Sequence, residues 1–194
     1  MMVRATACLA LACILAVPLS AQIMPPGAHP APSPAPPAPR DGSHDFDFDI
    51  GTWRTQTSRL GHPLTGSNEW IEMEGVTVVE PVWGGKGNLA TLESDGPTGH
   101  LQLISLRLYN PEAHQWSLNF ATSGVGVRSV PMVGSFDGGH GVFYDQEDFN
   151  GRMVLVRFTF TPISHGRAQS EQAFSADGGK TWETNFINRY TRLK

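Results

Sequence analysis

Cysteine is scarce in this chain: 194 residues contain two, Cys8 and Cys13, and both lie close to the N-terminus. The rest of the sequence therefore has no thiol for a disulfide, a cysteine-based metal site or a cysteine nucleophile. An excess of one charge is lacking as well, because 14 Lys and Arg residues against 18 Asp and Glu residues give a formal net charge of -4. Such a mild, mixed charge does not favour a surface for nucleic acid or another polyanion.

The common motifs of catalysis and cofactor binding are missing too. No Gly-x-Ser-x-Gly sequence occurs, and the glycine-rich residues 84–88 lack the spacings of phosphate-binding and dinucleotide-binding loops. No two of the seven histidines are one, three or four positions apart, as metal-ligating pairs often are. No histidine follows His165, where a haem-binding barrel of the nitrobindin group would need an axial ligand. We therefore predict neither a metal nor a cofactor.

The first 21 residues have the pattern of a signal peptide. Arg4 gives a positive start, residues 5–19 are apolar, and Ala21 supplies a small residue at the expected cleavage point. The apolar run is short for a membrane span and proline soon follows it, so we expect no stable span after cleavage. We predict export to the periplasm or the cell exterior, with lipid attachment through Cys13 as a minor alternative.

Residues 22–43 are rich in proline and alanine and have few of the apolar side chains that could stabilise a folded core. We expect this segment to be a disordered, extended spacer. The remaining residues, 44–194, are enough for one folded domain with a proper core.

Turn signals recur at short intervals after residue 51, and no stretch has the apolar spacing of a helix. Nine such breaks, among them Asn110-Pro111, Asn150-Gly151 and Asp177-Gly178-Gly179, divide the domain into about ten strands. In residues 115–121 and 152–160, apolar residues alternate with polar ones, as in half-buried strands. The pattern predicts an all-β domain, either an antiparallel sandwich or a barrel.

Four segments resemble a family of uncharacterised bacterial lipocalin-like proteins, a group of unknown function within the calycin barrels. They are Phe-Asp-Phe-Asp-Ile-Gly-Thr-Trp at 46–53, Leu-Arg-Leu-Tyr-Asn-Pro-Glu-Ala-His-Gln-Trp at 106–116, Phe-Asn-Gly-Arg-Met-Val-Leu-Val-Arg-Phe at 149–158, and Glu-Gln-Ala-Phe-Ser-Ala-Asp-Gly-Gly-Lys-Thr-Trp-Glu-Thr-Asn at 171–185. The resemblance implies a lipocalin-like antiparallel β-barrel of about ten strands over residues 44–194. It brings no established chemistry.

The same resemblance implies a structural role for Trp53. In lipocalins, the tryptophan of the Gly-x-Trp element packs across the closed end of the barrel, beneath an arginine near the C-terminus. Arg189 or Arg192 would be that arginine here, and we assign barrel closure to Trp53 and Arg189.

Two arginines interrupt apolar strands and are candidates for a binding site. An interior guanidinium must be paired or face a polar ligand, since an unpaired buried charge is costly. We therefore predict that Arg107 and Arg157, with Tyr144 and Glu171, form the polar side of a pocket for an anion or carboxylate. Alternatively, one or both arginines face solvent or close an internal salt bridge, because alternation places half of the side chains of a strand outside.

Residues 175–182 match the Asp-box of sialidase propellers, Ser-x-Asp-x-Gly-x-Thr-Trp. The motif occurs once here, whereas in those proteins it recurs in several blades, so it gives no reason to expect a glycosidase. It predicts a tight turn in which Asp177 accepts hydrogen bonds from turn amides and Trp182 packs beneath.

Three functions remain open from the sequence. The first is a non-enzymatic binder of a small apolar or amphipathic molecule inside the barrel. The second is an enzyme that uses the barrel cavity, with Tyr144 or Glu171 as general acid or base. The third is a structural or interaction domain whose barrel is filled by side chains. We favour the binder, and the sequence does not identify a ligand or an oligomeric state.

Overall fold

Ten antiparallel strands pair in a closed ring. The computed structural model describes residues 40–127 and 130–194, so the predicted signal peptide (1–21) and spacer residues 22–39 lie outside the described residues. The strands in chain order are β1 (Gly51–Leu60), β2 (Trp70–Val82), β3 (Gly87–Gly96), β4 (Gly99–Asn110), β5 (Gln115–Thr122), β6 (Gly126–Val127), β7 (Met132–Asp137), β8 (His140–Phe149), β9 (Arg152–Ser164), β10 (Arg167–Ser175) and β11 (Glu183–Arg192).

Each strand of the ring pairs with its neighbours in the sequence, apart from the two-residue β6. The order is β1-β2-β3-β4-β5-β7-β8-β9-β10-β11, and β11 pairs back with β1 to close the barrel. Strand β6 pairs only with the end of β5 and lies outside the ring. The predicted all-β barrel of about ten strands is confirmed.

A two-residue turn at Asn150 and Gly151 connects β8 and β9. Both residues have positive φ, 55° and 78° respectively, which is the backbone of the tight hairpin turn that Asn-Gly favours. The turn fixes the pairing of Phe149 with Arg152 and therefore the register of both strands. The hairpin that the sequence predicted is present.

Alternation along the strands separates an inner from an outer face. On β9, Val154, Val156, Phe158 and Phe160 are buried inside the barrel, whereas the residues between them are more exposed. This inner face belongs to one apolar cluster that includes residues of nearly every strand of the ring. Burial of these large side chains supplies most of the favourable free energy of folding, at roughly 25 cal/mol per Å².

The segment before β1, residues 40–50, covers one end of the barrel and contains a 3₁₀ helix at Asp47–Asp49. Phe46 makes the central contacts between this segment and the barrel. The Phe46 ring lies edge-on to the rings of Trp116, Phe136 and Phe160, at centroid distances of 5.0, 4.8 and 5.6 Å. Edge-to-face pairs of this kind contribute about 0.5–1.5 kcal/mol each beyond the area that they bury. The alternating Asp-Phe-Asp-Phe-Asp sequence thus forms a plug.

The plug begins earlier than the sequence suggested, within the segment predicted as spacer. The Gly42 amide donates a hydrogen bond to the Tyr109 hydroxyl at 2.9 Å, and the Trp116 indole donates to the Gly42 carbonyl, also at 2.9 Å. Arg40 forms a 2.7 Å ion pair with Asp45. Residues 40–43 therefore belong structurally with the barrel.

None of the helices within the two described ranges has the length and hydropathy needed to cross a lipid bilayer.

Candidate functional site

The closed end of the barrel is held by an arginine and a tryptophan. Trp53 is buried, and its indole nitrogen donates to the Asp49 carbonyl at 2.8 Å. The guanidinium carbon of Arg192 lies 4.1 Å from the centroid of the Trp53 ring. Arg192 also donates to the carbonyl oxygens of Ile50 and Phe48, at 2.7 and 2.5 Å. Strand β11 is thereby tied to both β1 and the plug.

The assignment of Arg189 to barrel closure is wrong. Alternation on β11 directs Asn188, Tyr190 and Arg192 inward and leaves Arg189 exposed on the outer face. There Arg189 donates a 3.2 Å hydrogen bond to the Ser58 hydroxyl. Arg192, the other candidate, is the residue paired with Trp53 in the β1–β11 register.

Arg107 lies inside the barrel, as the pocket hypothesis required, and its partner is an acid, Asp49, that nothing in the sequence linked to it. Its guanidinium forms a 2.5 Å ion pair with Asp49 of the plug, and both side chains are almost fully buried. Its guanidinium carbon also lies 4.6 Å from the ring centroid of Phe46 and 5.0 Å from that of Phe160. The internal salt bridge, one of the alternatives considered, is therefore present.

The other three predicted site residues lie on the outer face of the barrel, so the predicted four-residue pocket does not form. Arg157 alternates with the buried residues of β9, and its guanidinium carbon lies 4.5 Å from the Trp182 ring centroid. Tyr144 is 49% exposed and its ring also contacts Trp182. Glu171 accepts a hydrogen bond from Gln169, two residues away on the same outer face of β10. Strand alternation placed these side chains outside because their neighbours form the core.

The barrel interior contains a cavity of about 770 Å³. It extends from Arg107 and Tyr190, near the plug, to the turns at the opposite end of the barrel. Apolar side chains that line it include Ala90, Leu92, Phe120, Met132, Val156, Phe158, Phe160, Phe174 and Phe186. Volumes of 300–1,000 Å³ are typical of sites for small molecules, so the cavity can hold a ligand of moderate size.

The buried polar side chains are confined to one part of the barrel wall. Among the described residues, those on the ring strands all belong to β1–β4, β10 and β11, and none belongs to β5, β7, β8 or β9. Those directed inward are Thr55, Thr57, Thr77, Asn88, Ser94, Ser105, Arg107, Ser170, Asn185 and Asn188, whereas the hydroxyls of Ser58 and Ser175 bond to groups on the outer face. We call the inner face of β1–β4, β10 and β11 the polar wall and that of β5 and β7–β9 the apolar wall. The cavity is thus chemically two-sided.

A chain of hydrogen bonds stabilises part of the polar wall. Thr57 donates to the Asn188 side-chain oxygen at 2.6 Å, Asn188 donates to the Tyr190 hydroxyl at 3.1 Å, and Ser170 lies 2.9 Å from the same hydroxyl. Burial, followed by the negative charge of Asp49, raises the pKa of Tyr190 from 10.0 to about 12. Tyr190 is therefore an uncharged hydrogen-bonding group at neutral pH.

Four other groups on the polar wall, on Asn88, Ser94, Ser105 and Asn185, have no hydrogen-bond partner, and two of them face the cavity. The Ser105 hydroxyl and the Asn185 side-chain nitrogen are buried and unpaired, and both residues line the cavity. Asn185 occupies a bulge, because the β10–β11 register passes from Gln172–Phe186 to Ala173–Thr184 and skips it. Bulges often redirect a side chain in this way. Buried polar groups are normally paired, so these two atoms are available to a ligand.

Carboxylates line the cavity near its far end. Asp145 and Glu147 lie on the inner-facing positions of β8, two and four residues beyond Phe143. Within residues 40–127 and 130–194, no three His, Cys, Asp or Glu side chains come close enough together to hold a metal ion.

The Asp-box residues form the predicted turn. The Asp177 carboxylate accepts hydrogen bonds from the Thr181 hydroxyl at 2.6 Å, the Thr181 amide at 2.9 Å and the Lys180 amide at 3.0 Å. The Trp182 indole donates to the Gly179 carbonyl at 3.1 Å. These bonds, with that from Ser175, hold the pKa of Asp177 well below its ordinary value. The motif stabilises a connection between β10 and β11, on the outside of the barrel.

Two solved structures resemble this chain, and the first of them supports the fold. The S-type phycobiliprotein lyase CPES from Guillardia theta matches with a TM-score of 0.53 and 13% identity, covering 80% of this chain and 99% of the lyase. The protein EF1p2_mFAP2b, solved bound to DFHBI, matches with a TM-score of 0.44 and 8% identity over 78% of this chain and 99% of its own. No family model matches the sequence, and no curated protein sequence matches it. The chain has a lipocalin-like fold, a closed antiparallel barrel of ten strands.

Proposed function

We propose that the barrel binds a small, mostly apolar or amphipathic molecule and does not transform it. The observation that carries this proposal is the cavity of about 770 Å³, which has an apolar wall and two unpaired polar atoms at Ser105 and Asn185. An unpaired buried polar group costs about 1–3 kcal/mol. A ligand that pairs with either group removes that cost, and its apolar part packs against the phenylalanines of the opposite wall.

The two residues that suggested an enzyme do not lie in the cavity. The enzymatic alternative assigned acid-base chemistry in the cavity to Tyr144 or Glu171, and neither side chain lines the cavity. A general acid or base must lie within hydrogen-bonding reach of the reacting atom. A residue that faces outward cannot reach a substrate inside the barrel. The filled-barrel alternative required the absence of a cavity of ligand size, and a cavity of that size is present.

Native mass spectrometry of the protein isolated gently from its natural host tests the proposal. We expect a non-covalent adduct that is lost on denaturation, and its mass would identify the ligand. Ala90 lines the cavity and is small, so an Ala90→Phe variant expressed in the same host provides a control that should lack the adduct. A bare mass in the wild type, together with no uptake of an apolar fluorescent probe such as N-phenyl-1-naphthylamine, would contradict binding.

Export and family membership belong to the same proposal and are supported by the sequence alone. The signal-peptide pattern of residues 1–21 supports a periplasmic or extracellular protein that begins at Gln22. The four segments described above support membership of the uncharacterised bacterial lipocalin-like family. N-terminal sequencing of the protein from its host tests export, since an intact Met1 would contradict cleavage.

A further inference from the structure

The charge at the floor of the cavity points to a specific class of ligand. Arg107 lines the cavity beside the plug, where a guanidinium would ordinarily mark a site for a carboxylate, phosphate or sulfonate. Here the guanidinium is already engaged by the Asp49 carboxylate at 2.5 Å, and both side chains are about 95% buried or more. The floor therefore carries an ion pair and has no net charge.

The guanidinium is also held in place. The rings of Phe46 and Phe160 lie 4.6 and 5.0 Å from its central carbon, so aromatic surface confines it in addition to the ion pair. To reach a ligand anion, Arg107 would have to leave Asp49 behind as a buried, unpaired carboxylate. Such a charge is strongly unfavourable in the interior.

The other charged groups described along the cavity do not restore an attraction for anions at its floor. The described charged residues that line the cavity, besides Arg107, are Arg59, His100, Asp145 and Glu147. Arg59 is exposed, and His100 is paired with Asp95 at 2.8 Å. The two carboxylates lie on inner-facing positions of β8, on the path between the far end and the floor. An anion entering the cavity would lose water, and beyond the exposed Arg59 it would meet no uncompensated positive charge among these residues.

We infer that the cavity selects an uncharged ligand, and that Asp49, by neutralising Arg107, is the residue that excludes anions. The inference deepens the proposed function and depends on it. The ligand's apolar face packs on the apolar wall, and an acceptor such as a carbonyl, ether or hydroxyl oxygen meets the unpaired Asn185 nitrogen. This replaces the anion or carboxylate expected from the arginines in the sequence.

Two probes with one skeleton test the inference on the wild-type protein. N-phenyl-1-naphthylamine is uncharged, and 1-anilinonaphthalene-8-sulfonate is the same arylamine with a sulfonate added. Fluorescence titration should give a dissociation constant at least about tenfold lower for the uncharged probe, which corresponds to about 1.4 kcal/mol. Equal or tighter binding of the sulfonate would overturn the inference and leave the proposed function standing. Binding of neither probe would overturn the inference, and together with a bare native mass it would also overturn the proposed function.

Variants identify the residue responsible and the place of binding. Asp49→Asn leaves the Arg107 charge uncompensated, so the sulfonate should bind about tenfold tighter while the uncharged probe changes by less than about threefold. The double variant Asp49→Asn with Arg107→Gln restores a neutral floor and should discriminate as the wild type does. Ala90→Phe should weaken both probes. A sulfonate affinity that stays the same in a folded Asp49→Asn protein would overturn the role of Asp49. If Asp49→Asn does not fold, the wild-type titration still tests the selection of an uncharged ligand. A double variant that binds the sulfonate much tighter than the wild type does would still overturn the role of Asp49.

Discussion

The guanidinium of Arg192 bridges the Trp53 ring, 4.1 Å away, and two carbonyl oxygens of the plug. One side chain near the C-terminus thus joins the last strand, the first strand and the segment that covers the barrel end. The arrangement needs a planar cation with several donors, which only arginine supplies.

Arg192→Met should lower the free energy of unfolding by about 2–4 kcal/mol, because the variant has neither the charged hydrogen bonds nor the cation–π interaction. Arg189→Met is the matched control on the same strand and should cost less than about 1 kcal/mol, since Arg189 is exposed and has one bond to Ser58. Urea denaturation measures both. Equal losses of stability in the two variants would contradict the closing role of Arg192.

The two interior serines should respond in opposite ways to replacement by alanine. Ser105→Ala removes an unpaired buried hydroxyl, so the free energy of unfolding of the ligand-free protein should stay the same or rise. Ser170→Ala removes a partner of Tyr190 and should lower it by about 1–2 kcal/mol. Thermal or urea unfolding of both variants is the measurement. A clear destabilisation by Ser105→Ala would show that the hydroxyl is paired in solution.

Alkaline pH should destabilise the barrel through Tyr190. Its pKa is about 12 in the folded protein and 10.0 ordinarily, so the unfolded state loses this proton first. The stability due to neutral Tyr190 is complete below pH 10 and is lost as the pH rises through 12. Tyr190→Phe should therefore lose less stability than the wild type over that interval. The ultraviolet absorbance of the wild type minus that of Tyr190→Phe should show the Tyr190 phenolate appearing near pH 12. Appearance of the phenolate near pH 10 would contradict the burial of Tyr190.

Acid should remove the contribution of Asp177 to stability. The bonds from Thr181, Lys180 and Ser175 hold the carboxylate pKa below its ordinary 3.8, so the folded state favours the charged form. That stability is present above pH 3.8 and is lost as the pH falls through the lower folded-state pKa. The difference in unfolding free energy between wild type and Asp177→Asn should be constant near neutral pH and shrink below pH 3.8. A difference independent of pH would contradict the prediction.

Changes on the outer face should leave binding in the barrel unaltered. Tyr144→Phe and Glu171→Gln should each keep the dissociation constant of N-phenyl-1-naphthylamine within about twofold of the wild type. Even one missing methylene group inside an apolar pocket weakens binding by about tenfold, so a change of twofold or less marks residues outside the pocket. Ala90→Phe, which fills the cavity, provides the positive control. A large loss of affinity in either outer variant would place a binding surface at Trp182.

The sequence predicted the barrel well because its signals are local. The Asn150-Gly151 turn and the alternation on β9 depend only on neighbouring residues, and both are present. Alternation misleads where apolar residues face outward and polar residues face inward. On β4, Ile104 and Leu106 point outward while Ser105 and Arg107 point inward, so hydropathy alone gave no way to choose the inner face.

The site could not be predicted because its contacts join distant parts of the chain. Asp49 and Arg107 are 58 positions apart, and the alternating motif showed Asp49 only as one of the acids between apolar residues. Arg107 and Arg157 interrupt apolar strands in the same manner, yet they lie on opposite faces. The bulge that turns Asn185 toward the cavity arises from a register shift between β10 and β11 that leaves no mark on the sequence.

The joint between β1 and β11 also determines when the barrel can close. Strand β11 is the last of the ten ring strands in chain order, and it pairs with β10 on one side and β1 on the other. Until β11 has been synthesised and has left the ribosomal exit tunnel, β1 and β10 each retain an unpaired edge. Open edges invite pairing with other chains, and the first and last strands meet late because they are far apart in sequence. Ring closure therefore waits for the last strand, and the two edges that it covers are the ones at risk of mispairing during synthesis.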